Sequence, residues 1–397
     1  MLTVCLITKN EEKNVRECLR SVKDIADEIV VLDSHSTDRT LEIAQEFNVK
    51  ARLAPFQDFS QARNAAASHA TQDWILHMDA DQRMDPPSAE KIKKLLPSSS
   101  ESHYEILDYV HLPNGGWNVP SVTKLVRNNK DIFWKKAVDE TLNPSVSQFL
   151  GENYKRNPTD IIFHHLRNDQ RNVTATAHWY MEILRRELEK NPNDSYYLRN
   201  MGRQFADIGD FAEAVRLCSR AIEIHPQRTR YYTYLGLFHY GAGDYRQAIS
   251  AFENSLSKDP NDHNAMAMLA KIEYKLDLER EALEKWATIH RQNKNLVHPL
   301  VNTGIHYQKR GDMEAALTWF EKAYEGLPYL IKVPVIQDRS IPEYYFCETL
   351  GNYEGLGVHL IRAAERSGRK GRIEGIFGQV QKGEPNHELY RFLIGGN

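Results

Sequence analysis

Two aspartates one residue apart, Asp79 and Asp81, are the residues best placed to do chemistry, in the stretch Asp73-Trp74-Ile75-Leu76-His77-Met78-Asp79-Ala80-Asp81-Gln82-Arg83-Met84-Asp85. An Asp-x-Asp pair offers oxygen ligands to a hard divalent cation and leaves its other positions to substrate phosphates. Trp74, Ile75, Leu76 and Met78 read as a short buried strand, so the carboxylates fall where that strand ends. In an open α/β sheet, ligands bind at that edge. The chemistry this predicts is a metal-bridged diphosphate; the plainer reading is an acidic, solvated turn.

The elements that must position the pair alternate along the chain. Leu2 to Thr8 reads as a strand, and the polar segment Lys9 to Asn14 leads into a helix carrying Val15, Cys18, Leu19 and Val22. A second strand, Glu28 to Leu32, ends in Asp33-Ser34-His35-Ser36-Thr37-Asp38. Ser36 or Thr37 is the expected cap of a helix whose apolar face is Leu41, Ile43, Ala44 and Phe47. A third strand, Val49 to Leu53, and a helix from Ser60 to Ala70 precede the aspartate strand. Such alternation predicts a parallel sheet with helices on its faces. Thr8, Asn10, Asp33 and Asp79 to Asp81 then share one crevice. Asp33 and Asp38 have a second reading as turn and helix-start residues, the preferred one for Asp38. His77, inside its strand, reads as packed rather than ligating. Tyr104 to His111 and Val119 to Val126, around an Asn114-Gly115-Gly116 turn, predict a mixed extension of the sheet. Asp160 to His165 is a strand closing on two histidines.

Composition narrows the function classes. With 397 residues the chain can hold two domains, and a net charge of −3 gives no reason to expect nucleic-acid binding. No G-x-G-x-x-G follows the first strand and no G-x-x-x-x-G-K-[ST] occurs, which disfavours dinucleotide enzymes and P-loop NTPases. The first loop reads Lys-Asn-Glu-Glu, where a sugar nucleotidyltransferase would be expected to carry glycines. Cys5, Cys18, Cys218 and Cys347 lack metal-type spacing and read as reduced thiols. No apolar run is long enough to span a bilayer, so the expected location is the cytoplasm. The basic run Arg366 to Arg372 reads as a solvated loop.

Four segments in order, Val4 to Glu12, Glu28 to Thr40, Phe59 to Asn64 and Trp74 to Asp81, resemble the successive motifs of family-2 glycosyltransferases of the GT-A fold. The resemblance implies that Asp33 contacts the base of a nucleoside diphosphate sugar, with Thr8, Asn10 and Glu11 lining the same pocket. It places Arg63, Asp79 and Ala80 near the nucleotide, although Arg63 also reads as a solvated helix residue. Asp81 would be the main ligand of Mn²⁺ or Mg²⁺, with Asp79 facing ribose or metal. The family often has Glu after the second Asp; here it is Gln82, one negative charge fewer. Relatives with appended repeats tend to read His-Glu where this chain has Asp139-Glu140. Glu140 is therefore the first choice for the base that takes the acceptor's proton during transfer with inversion, and Asp139 the second. The alternative is a carboxylate pair capping the turn before Asn143-Pro144. His165, or less well His164, resembles the family's late histidine that can complete the metal shell, a contact that would favour manganese.

From about Asn168 the periodicity is helical throughout. Gly209, Gly243, Asp277 and Gly311 stand 34 residues apart, the tetratricopeptide length. Ala214, Ala248, Ala282 and Ala316 keep that phase, as do Phe252, Trp286 and Phe320, and also Pro192, Pro226, Pro260 and Pro328. Small residues recur where helices approach, aromatics where grooves must be filled, prolines where each pair ends. The expected architecture is a GT-A-like (Rossmann-like) α/β domain over 1–167, a linking helix over 168–194, an all-α tetratricopeptide solenoid over 195–330, and degenerate capping helices with a tail over 331–397. This arrangement resembles the sublancin-type peptide S-glycosyltransferases. It implies a metal-dependent enzyme using a UDP-sugar and a peptide or protein acceptor with a Cys, Ser or Thr nucleophile. A glycolipid or cell-envelope saccharide is the alternative acceptor. The solenoid itself reads as an acceptor-presenting surface, a homodimer contact or a brace, and a non-catalytic scaffold is the remaining rival.

Overall fold

The computed structural model describes residues 1–111, 117–118, 120–166, 173–293, 298–326 and 356–377. The expected Asn114-Gly115-Gly116 turn, Pro328 and Cys347 lie outside them. The chain divides into two compact units, one built on Met1–Leu112 and Trp117–Gln170, the other from Leu188 onward.

The first unit runs β1 (Leu2–Thr8), α1 (Val15–Val22), β2 (Glu28–Asp33), α2 (Thr40–Gln45), β3 (Lys50–Leu53), α3 (Phe59–Ala67), β4 (Trp74–Asp79), β5 (Gln82–Met84), α4 (Pro86–Leu95), β6 (His103–His111), β7 (Trp117–Asn118), β8 (Ser121–Arg127), α5 (Asn143–Leu150) and β9 (Pro158–Leu166). Its sheet is mixed, in the order β3-β2-β1-β4-β8-β6-β9-β5, with β7 paired to β6. The first four strands of that order are parallel, and β8 joins β4 antiparallel. Alternation along the strands feeds two cores. Val4, Leu6, Val31, Leu76 and Met78 pack with Val15, Cys18, Leu19 and Val22 of α1 and Ile43 and Ala44 of α2. Cys5, Val30, Leu32 and Ile75 face the other way, onto Ala62 and Ala66 of α3 and Val146 of α5. Each fully buried Val or Leu contributes about 1.5–3 kcal/mol, and the opposed cores hold the strand ends in register.

Some boundaries differ from expectation. Helix α3 stops at Ala67 rather than Ala70, and α2 stops at Gln45, so Phe47 packs from the turn beyond it. Strand β8 begins at Ser121, after Pro120, which has no N–H for the ladder. Strand β5, three residues long, has no counterpart in the sequence pattern; it pairs antiparallel with β9.

Beyond β9 the described residues are helical. After α6 (Val173–Lys190) come α7 (Ser195–Asp207), α8 (Phe211–Ile224), α9 (Thr229–Gly241), α10 (Tyr245–Lys258), α11 (His263–Lys275), α12 (Glu279–Gln292), α13 (His298–Lys309) and α14 (Met313–Gly326), then α15 (Leu356–Arg366) and α16 (Lys370–Phe377). The periodic Ala214, Ala248, Ala282, Ala316, Phe252, Trp286 and Phe320 are all completely buried. A Cβ added at Gly236 would come within 2.5 Å of the Phe252 ring, which is why the position takes no side chain. Gly209, Gly243 and Gly311 turn each helix pair at φ between 82° and 86°, and Asp277 adopts φ 61° where the glycine is missing. The basic run is exposed: it ends α15, turns at 367–369 and opens α16 at Lys370, with Arg369 pairing with Glu314 and Arg372 with Glu321. Cys5, Cys18 and Cys218 are free and buried. Among the described residues, no helix is long and apolar enough to cross a membrane.

Candidate active site

Parallel pairing sets Thr8 beside Asp33 and Ile7 beside Asp79, so β1, β2 and β4 deliver their residues to one edge. Thr8 Oγ1 donates to Asp33 Oδ2 at 2.9 Å, while Ser36 donates its N–H to Oδ1 and its hydroxyl to Oδ2. Asp33, expected to meet a base, is fully buried with its carboxylate turned into this Ser36 turn. Asn10 adopts φ 55°; its N–H donates to Ser36 Oγ and its Oδ1 accepts from Thr37 N, both at 2.8 Å. Glu11 N donates to Thr40 Oγ1 at 2.7 Å. Ser36 and Thr37 thus tie down the Asn10 loop instead of capping α2, and Asp38 accepts the Thr40 N–H at 3.0 Å.

Asp79 is partnered on both oxygens, by Arg63 Nη2 at 2.6 Å and Lys124 Nζ at 2.9 Å. Burial works to raise its pKa, but Arg63 and Lys124 outweigh burial and hold the carboxyl well below its ordinary range. Arg63 is no solvated helix residue. It lies 5% exposed on the small-residue face of α3, 4.8 Å from the Trp134 ring centroid, and its Nε donates to Glu140 Oε1 at 2.7 Å. The loop bearing Glu140 is closed by a reciprocal backbone bridge between Lys135 and Thr141. Thr141 Oγ1 accepts the Asn143 N–H in the turn before Pro144. Asp139 is exposed, at φ 48°. His77 is packed: its Nε2 accepts from Trp134 Nε1, and burial drives its pKa well below the ordinary value.

The chain turns after β4 through Ala80, whose carbonyl accepts from Arg83 Nη1 at 2.9 Å, and through the buried Asp81. Pairing of β5 with β9 then sets Gln82 opposite His165. His165 Nε2 lies 3.4 Å from Asp81 Oδ2, and its Nδ1 lies 3.5 Å from Asp108 Oδ2 on β6. His164 points the other way, 3.7 Å from Asp85. Burial acts to lower the His165 pKa, yet Asp81 and Asp108 outweigh it and raise it to about 9.

One carboxylate and one imidazole side by side suit a divalent cation, and the buried Nδ1 of His165, without a hydrogen bond, faces a carboxylate that can fix the ring. Among the described residues no three His, Cys, Asp or Glu side chains form a metal cage. A cation held by Asp81 and His165 would thus leave positions for substrate oxygens. Lys124, Asp108 and the linking role of Gln82 escaped sequence reasoning. The available signal was an ionisable residue in mid-strand, in Ser121–Arg127 and His103–His111.

Residues 3–104 match the Glycosyl transferase family 2 profile and residues 229–262 the Tetratricopeptide repeat profile. A TPR repeat-containing protein of Synechococcus elongatus is 28% identical over 267 residues, 65% of this chain and 66% of that protein. The SPbeta prophage-derived glycosyltransferase SunS of Bacillus subtilis is 41% identical over 97 residues, 24% of this chain and 23% of that protein. These matches span just under two thirds of the first relative and about a quarter of the second. The solved structure of S. aureus TarS 1-349 in complex with UDP-GlcNAc is 16% identical with a TM-score of 0.39, covering 65% of this chain and 92% of that one, a likeness too slight to inform function. The chain carries a family-2 glycosyltransferase domain, and tetratricopeptide repeats follow it.

Proposed function

We propose that the chain transfers a sugar, with inversion, from a UDP-sugar to a Cys, Ser or Thr side chain of a peptide or protein, using Mn²⁺ or Mg²⁺ held by Asp81 and His165. The observation that carries this reading is the Asp81–His165 pair, 3.4 Å apart at the strand edge of a sugar-transfer domain. The chemistry supplied at that position is Lewis-acid relief of charge on the departing diphosphate. An imidazole ligand favours Mn²⁺ over Mg²⁺. The chain's own residues do the rest. Thr8, Asn10, Glu11 and Asp33 form the nucleoside side of the crevice, with Asp79 and Ala80 at its floor. Glu140 takes the acceptor's proton, and Arg63 aims it by holding Oε1. Asp139, next to it on the loop, is the alternate base. The solenoid offers an extended surface suited to a peptide.

The test is incubation with labelled UDP-sugars and Mn²⁺, followed by separation of peptide and lipid fractions. Label in peptide is expected; label in lipid alone would overturn the acceptor, and no transfer from any nucleotide sugar would overturn the enzyme.

A further inference from the structure

Gln82 stands where the family resemblance leads to an expectation of Glu, and its surroundings account for the amide. The side chain is completely buried. Nε2 donates to both oxygens of Asp108, at 3.0 and 3.1 Å. Oε1 accepts from Asp79 N at 3.0 Å and from Lys124 Nζ at 2.9 Å. Only a group with a donor at one end and an acceptor at the other can join a carboxylate to an ammonium and an N–H. A glutamate here would set two buried carboxylates against each other. The negative charge missing at position 82 is present instead at Asp108, 6% exposed, behind His165. Strand register explains how: Val110 of β6 pairs with His165, so Asp108, two residues earlier, lies on the same sheet face and diagonal to it.

We propose that Asp108 is the positioning residue that orients the His165 imidazole toward a cation at Asp81, and that Gln82 is its dedicated holder, the two forming one exchangeable unit. Gln82 fixes both Asp108 oxygens, and Asp108 in turn fixes which ring nitrogen faces Asp81. The inference rests on the cation site proposed above and adds to it two residues that touch neither sugar nor diphosphate.

Exchangeability is what distinguishes this role from ordinary packing. In the double variant Q82E/D108N the carboxylate moves to position 82, where Lys124 can pair with it. The amide moves to position 108, where it can donate to the relocated carboxylate and accept from His165. Two measurements on purified full-length chain decide the matter: Mn²⁺ binding in the presence of UDP, followed by electron paramagnetic resonance, and thermal unfolding without ligand. D108N should weaken Mn²⁺ about 10- to 100-fold, the usual effect of removing a partner behind a metal-bound histidine. Q82E should weaken Mn²⁺ and lower the unfolding temperature. The double variant should unfold near the wild-type temperature and bind Mn²⁺ more tightly than either single variant. Wild-type affinity in D108N, or losses in the double variant that simply add, would overturn the proposal while leaving the cation site standing. Failure of wild type to bind Mn²⁺ with UDP would overturn both.

Discussion

The two ends of the parallel strands β1, β2 and β4 treat buried acids differently. At the end where β2 begins, the Glu28 carboxylate accepts from Thr3 Oγ1 at 2.5 Å, Thr71 N at 2.8 Å and Thr71 Oγ1 at 3.0 Å, and pairs with Lys50. Its donors come from the neighbouring strands β1 and β3 and from the segment leading into β4. At the opposite end, one connected line runs through Glu140, Arg63, Asp79, Lys124, Gln82, Asp108, His165 and Asp81. Glu28 has received donors until its anion is a lock between strands. In this line Glu140 and Asp79 share Arg63, and Asp108 and Asp81 share His165, so a phosphate or a metal ion entering there can re-partner several groups at once. One end holds the sheet together, and the other is arranged to receive charge.

This contrast predicts that substitutions at the two ends fail in different ways. Largest should be Glu140→Gln, which removes the proposed base while its neighbours stay in place: the catalytic rate should fall about 10²- to 10⁴-fold with UDP affinity little changed. Steady-state rates against UDP titrations check this, and equal losses in both would place Glu140 in binding instead.

Next is Lys124→Met, which strips a buried cation from Asp79 and Gln82. It should cost about 3 kcal/mol in urea unfolding and also weaken UDP binding. A variant with full stability would show that Arg63 alone suffices for Asp79.

Glu28→Gln should cost about 2 kcal/mol and leave turnover unchanged. Burial would raise the Glu28 pKa, but Lys50, Thr3 and Thr71 bring it down to about 2. Because the folded pKa lies below the unfolded one, this contribution is complete above about pH 4.5 and is lost as pH falls toward 2. The stability gap between wild type and variant should therefore close on acidification; a gap constant with pH would mean the carboxylate's charge plays no part.

The smallest effect serves as a baseline from the repeats. Asp277 occupies the left-handed turn position that glycine fills in the other repeats, and Leu278 follows it without a side-chain cap for α12. Asp277→Gly with Leu278→Asp should stabilise by about 1–2 kcal/mol, read by chemical unfolding. No gain would mean that this helix pair already compensates locally.

Much of the fold could be read in advance because its signals are local. Strands β1, β2 and β4 are continuous apolar runs, and the repeats show their period in residues such as Ala214, Ala248, Ala282 and Ala316. Asp79, Asp81, Asp33 and Glu140 stood out by residue type and motif. Of their partners, Arg63 and His165 were named through the family resemblance, whereas Lys124 and Asp108 were not. Strand β5 carries Gln82-Arg83-Met84, too short to show periodicity, and it exists because β9 pairs with it from far downstream. The pairing of β5 with β9 is what brings His165 to Asp81, and Gln82 reaches Asp108 from the same strand. Nothing local marks Lys124, which the pairing of β4 with β8 brings to Asp79. The acids were legible one by one, whereas the order of their charges depends on long-range strand pairing.

The most direct measurement is calorimetric titration of UDP into the wild-type chain and Asp81→Asn, each with and without Mn²⁺. The account predicts that Mn²⁺ tightens UDP binding by about tenfold or more in wild type and that the gain disappears in Asp81→Asn. UDP binding indifferent to Mn²⁺, or a gain that survives the substitution, would contradict it.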